Sequence, residues 1–483
     1  MSVSLAFLVA ELERRLPRSE AALVPGGHVR DASVEIADVT HDSTKVPSLA
    51  SAMFCCVPGL RLDGHDFAGD AVGDGAVALL VERPLRVSVP QLQVRDVREA
   101  MGHVASIVHG DPATSLDLIG ITGTNGKTTT AHLLGEVLRA DGRRVAVLGT
   151  LTQSRTTPEA TDLHRRLAEL RSEGVSDVVM EVTSHAMELH RVAGCHFKVA
   201  AFTNLSQDHL DFHGTMEAYF RAKAKLFVAE YSDHAFVNLD DLYGSLLSDA
   251  AVIPTSGVRL ADAEDLVLRP TGSSFRWRGV EIVLPMAGDF NVRNAVLVAA
   301  VARHLGVNDA ALVSGLSSAA VPGRYEMIDE GQRFAVVIDY AHTPDGLARV
   351  LQAARRTVQP PGAVIAVFGC GGDRDRGKRP MMGEVASVNA DRVIVTTDNP
   401  RSESPTAIIG DVLAGVGDAG NMQVIEDRRE AVAAAIALAR PGDVVVIAGK
   451  GHETGQERDG VITPFDDREV SREALRSISG RTP

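Results

Sequence analysis

The sequence predicts an α/β protein of three domains, the second built on a parallel sheet that opens with a glycine loop and the third on a doubly wound sheet. Three observations predict it. The chain has 483 residues, room for about three domains at the usual ~100–200 residues each. From the middle of the chain onward, short apolar runs alternate with helical patterns, as in parallel strands covered by helices. Nearly every polar cluster follows directly after one of those runs. In open parallel sheets that is the carboxyl end of a strand, where ligands bind.

The first domain spans residues 1–98. Its opening SLAFLVAELERRL reads as an amphipathic helix, because the apolar run is too short for a membrane span and charges follow at once. Short strand-like runs such as Val77–Val81 follow. The second domain, residues 99–322, opens with LDLIGIT. Its further strand candidates are Val145–Leu148, Val178–Val182, Val199–Thr203 and Ala235–Leu239, with helical patterns between most of them and inserts besides. The third domain, residues 323–483, starts beside Val321-Pro322-Gly323. Its strand candidates are Phe334–Ile338, Val364–Phe368, Arg392–Thr396, Met422–Ile425 and Val444–Ala448, alternating with helices. GTNGKTT, EVTSH, NLSQDH, DYAHTP, GCGGDRD, DNPR and GKGHE should therefore edge clefts, and two sheets with such edges can face each other across one site.

Composition narrows the function. Hydrophobic residues make up 45% and charged residues 23%, ordinary for a globular protein. The net charge of −14 argues against a general nucleic-acid binder, though not against a local basic pocket. The four cysteines form no CxxC pair, which argues against a disulfide framework or zinc site and fits a reducing compartment. No run approaches ~18 apolar residues, so no membrane insertion is expected. The expected location is cytoplasmic.

Gly123-Thr-Asn-Gly-Lys-Thr-Thr129 carries the strongest chemical signal. It follows an apolar run and precedes the helical pattern Thr130–Leu138. Glycines let backbone N–H groups turn toward phosphate oxygens, and the helix amino end adds positive potential. In such a loop Lys127 reaches the β- and γ-phosphates and Thr128 holds Mg²⁺, so the second sheet reads as P-loop ATPase-like. Ile121 stands where the strict spacing needs glycine, so the loop is a shortened variant. The plainer alternative is a glycine turn before a helix.

Candidate metal ligands are Glu181, at a strand end, and His209, within Asp208-His-Leu-Asp211. Taken alone, each also reads as a cap, an ion pair or a satisfied structural group. Lys223 shares a helical stripe with Met216, Tyr219, Phe220, Leu226 and Phe227, at i+3 from Phe220. A lysine facing inward needs a partner or a modification. At the edge of the stripe it would instead extend its ammonium to water. The pattern leaves both open.

Taken together, TGTNGKTTT, TTPEATDL, EVTSHAMELHRV, FTNLSQDHLDFHG, AKAKLF, GDFNVRN, PGRYE, DYAHTPD, GCGGDRDRGKRP, DNPRSESP and GKGHE resemble the Mur ligase family over nearly the whole chain. The resemblance implies a Rossmann-like third domain. It also implies ATP and Mg²⁺ as cofactors, and a UDP-N-acetylmuramoyl-dipeptide and meso-diaminopimelate as substrates. The implied activity is ligation of meso-diaminopimelate to the D-glutamate of the dipeptide through an acyl phosphate, in peptidoglycan precursor synthesis, by a monomer.

The resemblance also assigns residues. Gly123, Thr124, Asn125, Gly126, Lys127, Thr128 and Thr129 would cradle ATP, with Asn291 and Asn294 beside the adenine. Arg324 and Asp339 would reach ATP from the third domain and its hinge. Glu181, His209, Thr128 and a carbamylated Lys223 would hold Mg²⁺, with Lys127 among the catalytic groups. Ser43 matches the serine beside the uracil nucleotide, while Thr156, Thr157, Ser184 and Arg191 match contacts to the sugar and peptide. Asp398-Asn399-Pro400-Arg401, with Arg374, Gly449 and Glu453, matches the amino-acid pocket. In the family DNPR accompanies meso-diaminopimelate, and lysine-adding relatives usually carry another sequence. The logic is physical: meso-diaminopimelate has a second carboxylate that lysine lacks, and a guanidinium fork binds a carboxylate in bidentate fashion. Glu453 would receive the distal ammonium. A surface ion pair is the alternative for Arg401. One departure is Thr44, then Lys45, where the family often has arginine after Asp42-Ser43. The competing readings are an L-lysine-adding ligase of the same family, a folate polyglutamylating ligase, and a non-catalytic nucleotide-binding protein.

Overall fold

A computed structural model of the chain describes residues 2–16, 22–24, 33–59, 62–153, 155–358, 360–417 and 420–478. Three parallel or mostly parallel sheets follow one another along the chain.

The first sheet orders its strands as Ala22–Val24, Gln91–Gln93, Ala78–Val81, Ala52–Cys55 and Asp38–Thr40, with only the first pairing antiparallel. The opening segment is the helix Leu5–Arg15, capped by the Ser4 hydroxyl, with Leu5, Leu8 and Leu12 buried on one stripe. Among the described residues no helix is long and apolar enough to cross a membrane.

The central sheet is wholly parallel, in the order Thr255–Val258, Ser232–Asn238, Phe197–Phe202, Asp117–Thr122, Asp177–Glu181 and Val145–Leu148. Asp117–Thr122 reads DLIGIT without alternation because helices cover both its faces. Lys127–Ala140 and Asp289–His304 pack on one face, Ala160–Ser172 and Met216–Ala224 on the other. The insert after Val258 is a three-stranded antiparallel sheet, Glu264–Arg269, Gly272–Trp277 and Val280–Leu284. Its alternate residues Phe275, Trp277, Ile282 and Leu284 join the same core.

The third sheet orders Glu326–Met327, Ala335–Asp339, Val444–Ala448, Val364–Phe368, Arg392–Val395 and Met422–Val424, antiparallel only at its first edge. Pro344–Thr357, Lys378–Asn389 and Pro405–Leu413 cover one face, Arg428–Leu438 and Asp467–Ile478 the other. This is the doubly wound arrangement. A hairpin, Gly455–Arg458 with Val461–Pro464, adds a small flap that the sequence pattern did not announce.

Candidate active site

The carboxyl ends of the central and third sheets meet across one cavity of about 440 Å³. All seven polar clusters named above send residues to its wall. The cavity therefore has a loop of the phosphate-binding type on one side and the DNPR segment on the other.

The glycine loop is held from behind. Thr124 donates its N–H to the Asn204 carbonyl at 2.8 Å, and Asn125 donates to Asn204 Oδ1 at 3.0 Å. Thr203 Oγ1 donates to the Asn125 carbonyl at 2.6 Å. Gly126 caps the helix at φ 86°, and a Cβ there would lie 2.7 Å from Asn294 Oδ1. A side chain at 126 would collide with Asn294, so glycine keeps the loop backbone bare, as expected of a phosphate-binding loop. Lys127 curls back, donating to the carbonyls of Gly123 at 2.9 Å and Thr124 at 2.8 Å. Desolvation by burial lowers its pKa.

Glu181, 1% exposed, accepts the Thr128 hydroxyl at 3.0 Å and the Thr150 N–H at 2.8 Å. A Cβ on Gly149 would come within 2.2 Å of this carboxylate, so the glycine makes room for it. His209 sits at φ 54° with its ring 4.8 Å from that of His185. Burial, with His185 and two lysines nearby, outweighs Asp208 and holds its imidazole at about 4. It is therefore neutral, as a metal-ligating histidine must be.

Lys223 is 2% exposed, so it does not extend to water. It lies behind the cavity wall, where Nζ donates to the same Gly123 carbonyl at 2.9 Å and rests 4.6 Å from the Tyr219 ring centre. Burial, reinforced by Lys127, drives its pKa well down. Among the described residues no three His, Cys, Asp or Glu side chains converge as a metal site. The expected set would be completed by a hydroxyl and by Lys223, and a plain amine supplies no oxygen. Mg²⁺ favours oxygen donors, so the Glu181 carboxylate and Thr128 hydroxyl suit the ion as they stand, whereas Lys223 would join them only with a carboxylate on its Nζ.

The third domain reaches across. Arg324 Nη2 donates to Thr128 Oγ1 at 3.2 Å, and its guanidinium lies 4.1 Å over the Tyr340 ring. Asp339 is raised in pKa by burial and accepts the N–H groups of Tyr325 and Ala341 at 2.7 and 2.8 Å. Asn291 and Asn294 both line the cavity, and Asn291 Nδ2 donates to the Ala287 carbonyl at 2.8 Å.

Arg374, Asp398, Asn399, Arg401, Gly449 and Glu453 share the far wall, while Pro400 does not face the cavity. Gly449, at φ 115°, leaves room for Asp398, whose Oδ2 would be 2.5 Å from a Cβ there. Two pocket residues already have partners. Glu453 Oε2 accepts from Asn399 at 2.8 Å and from the buried Lys450 at 3.1 Å. Arg401 pairs with Glu457 at 3.2 Å and donates to the Gly372 carbonyl at 2.7 Å. It is thus both an ion pair and a cavity residue.

The nucleotide-side candidates separate. Thr156 lines the cavity, 3.0 Å from Thr150 Oγ1. Thr157 is buried, donating to the Glu181 carbonyl at 2.8 Å, and Ser184 is buried against His213 at 2.9 Å. Arg191 pairs with Glu159 at 2.8 Å. Ser43 begins a short helical turn in the first domain and does not line this cavity. Lys45, which follows the unexpected Thr44, bonds Asp162 of the central domain at 2.9 Å. Sequence reasoning passed over Lys378, Arg293 and Lys450, cations at or behind the wall. Each had a signal, from its place in GCGGDRDRGKRP, GDFNVRN or GKGHE.

Three family descriptions match in order: "Mur ligase family, catalytic domain" over residues 35–109, "Mur ligase middle domain" over 121–302 and "Mur ligase, glutamate ligase domain" over 323–451. A Streptomyces coelicolor protein described as UDP-N-acetylmuramoyl-L-alanyl-D-glutamate--2,6-diaminopimelate ligase is 42% identical over 96% of this chain and 97% of its own. The chain belongs to the Mur ligase family. A relative of the same description from Corynebacterium efficiens is 44% identical over 92% of this chain and 91% of its own. A solved structure of a ligase so described superposes with a TM-score of 0.68 at 34% identity, covering 99% of this chain and 100% of that one. A Mycobacterium tuberculosis folylpolyglutamate synthase shares the Mur ligase fold at a TM-score of 0.59 and 20% identity, over 78% of this chain and 94% of its own.

Proposed function

We propose that this Mur ligase is the ATP-dependent enzyme that joins meso-diaminopimelate to the D-glutamate of UDP-N-acetylmuramoyl-L-alanyl-D-glutamate, in peptidoglycan precursor synthesis in the cytoplasm. The observation that carries the reading is one cavity with the Lys127 loop on one wall and Arg401 and Arg374 on the other. The similarity to ligases of that description supports the substrate pair.

The residues divide the work. Backbone N–H groups from Gly126 to Thr129 and the Lys127 ammonium take the triphosphate. Lys127 leaves its two carbonyl partners to do so. Asn291 and Asn294 flank the nucleotide. Thr128, Glu181, His209 and carbamylated Lys223 would hold Mg²⁺, which supplies charge neutralisation at the phosphates. The carboxylate of D-glutamate takes the γ-phosphoryl group from ATP, ADP leaves, and the carboxylate becomes an acyl phosphate. The amine of meso-diaminopimelate, oriented by the far wall, attacks that carbonyl and phosphate leaves. Positioning and charge compensation are the main contributions of the protein. Arg324 brings the third domain against Thr128 and helps to keep water from the activated carboxyl.

Phosphate release decides between amino acids. With the UDP-linked dipeptide and ATP, meso-diaminopimelate should support turnover and L-lysine little or none. Equal rates, or a preference for lysine, would reject the assignment of Arg401. The absence of release with either would reject the ligase reading.

A further inference from the structure

Two motif ends, the glutamate of DNPRSE and the arginine of GKRP, have no part in the chemistry above, yet the structure joins them. Arg379 is completely buried, at 0% exposure. Its Nη1 and Nη2 donate to Glu403 Oε2 and Oε1 at 3.0 and 2.8 Å, a two-pronged pair. Nη1 also donates to Asp411 at 2.8 Å, and Nη2 to the Gly371 carbonyl at 3.2 Å. Glu403 Oε1 accepts the Asp373 N–H at 2.6 Å, and the Asp373 carboxylate accepts the Ser402 hydroxyl at 2.7 Å.

The two loops tied in this way carry the two guanidinium groups of the amino-acid wall. Arg374 follows Asp373 on one loop, and Arg401 precedes Ser402 on the other. Their backbones are in close contact, since a Cβ on Gly372 would fall 1.9 Å from the Pro400 carbonyl oxygen. A buried ion pair is poor value as a source of stability, because desolvation offsets its attraction, and a well-packed apolar pair often does as well. What such a pair supplies is geometry. Its two parallel hydrogen bonds are satisfied only at one separation of the loops.

We propose that the Arg379–Glu403 pair is a positioning brace that sets the spacing of Arg374 and Arg401, and with it the preference for an amino acid bearing a second carboxylate. The proposal rests on the reading of the DNPR wall given above. Neither brace residue lines the cavity.

The test uses the full-length enzyme and the phosphate-release assay. Glu403→Gln preserves shape and removes the charge. It should raise the KM for meso-diaminopimelate about tenfold or more, while the KM values for ATP and the UDP-linked dipeptide stay within about twofold. The kcat/KM ratio of meso-diaminopimelate to lysine should narrow. Arg401→Ala serves as the benchmark for loss of the contact itself. Should Glu403→Gln not fold, Arg379→Lys, which keeps the charge without the fork, carries the same comparison. A change in all three KM values alike, or a lowered Tm with every KM unchanged, overturns the brace. If the wild-type enzyme does not use meso-diaminopimelate, the fault lies in the functional reading instead.

Discussion

Lys223 shows how far one side chain can be read. Its place on an apolar stripe was visible in the pattern, but the pattern could not say whether the ammonium turned inward or out. The fold buries it beside Lys127, with both amines on one carbonyl oxygen. Burial first, and then repulsion from Lys127, makes Lys223 give up its proton more readily. A neutral lysine amine is the form that attacks CO₂. A C–N bond forms, one proton leaves, and a carbamate anion replaces the amine. Supplying ¹³C-bicarbonate should therefore produce a carbamate resonance that is absent in Lys223→Ala, and that variant should lose about 10²-fold or more of its phosphate-release rate. A full rate without the resonance would remove Lys223 from the metal site. Acidification should erase the signal as the amine is reprotonated.

Among the elements, the strand–loop–helix unit around Gly123 was the most legible and the insert after Val258 the least. The loop announces itself because its glycines are required by contact. Gly123 sits at φ 146°, and a Cβ would come within 1.9 Å of Thr203 Oγ1. Gly123→Ala should cost ~2 kcal/mol or more of unfolding free energy, from backbone strain and overpacking together, as measured in urea. A cost near zero would mean that the loop backbone is free to move. The antiparallel insert was read only as an insert, although Phe275, Trp277, Ile282 and Leu284 alternate across the turn at Gly279. The βα alternation on either side dominates the reading. The flap near the carboxyl terminus turns at Asp459-Gly460, a hairpin signal that had no long strand to draw notice to it.

Across the whole molecule, polar contacts between domains hold the site together. Asn125 Nδ2 in the glycine loop donates to Asp345 of the third domain at 3.0 Å, and Arg165 of the central domain pairs with Asp38 of the first at 2.8 Å. Burial also spreads a pH dependence through the structure. His103, His164, His342 and His452 are each held at about 4 by desolvation, against an ordinary value of 6.5. Between those values the unfolded chain binds more protons than the folded one, so stability is lost as pH falls through that range. The fully buried His164 alone should cost about 2 kcal/mol at pH 5 relative to neutrality. Urea unfolding at pH 7 and pH 5 should show stability lost on acidification, with a shallower slope in His164→Gln. A flat profile would contradict the buried, neutral state.

Local chemistry was sufficient for much of this protein. The α/β class, most strands of the central and third sheets, and the phosphate-type loop follow from apolar periodicity and from residue types at fixed spacing, because these signals lie within a few residues of one another; the reading of DNPR as an amino-acid wall came from the family resemblance. The tertiary structure decided what depends on distance through space. It buried Lys223, set Glu457 against Arg401, withdrew Thr157 and Ser184 into packing, and tied Arg379 to Glu403. Each of these joins segments apart in the chain, and only the packing of helices and loops within the central or the third domain brings them within hydrogen-bonding reach.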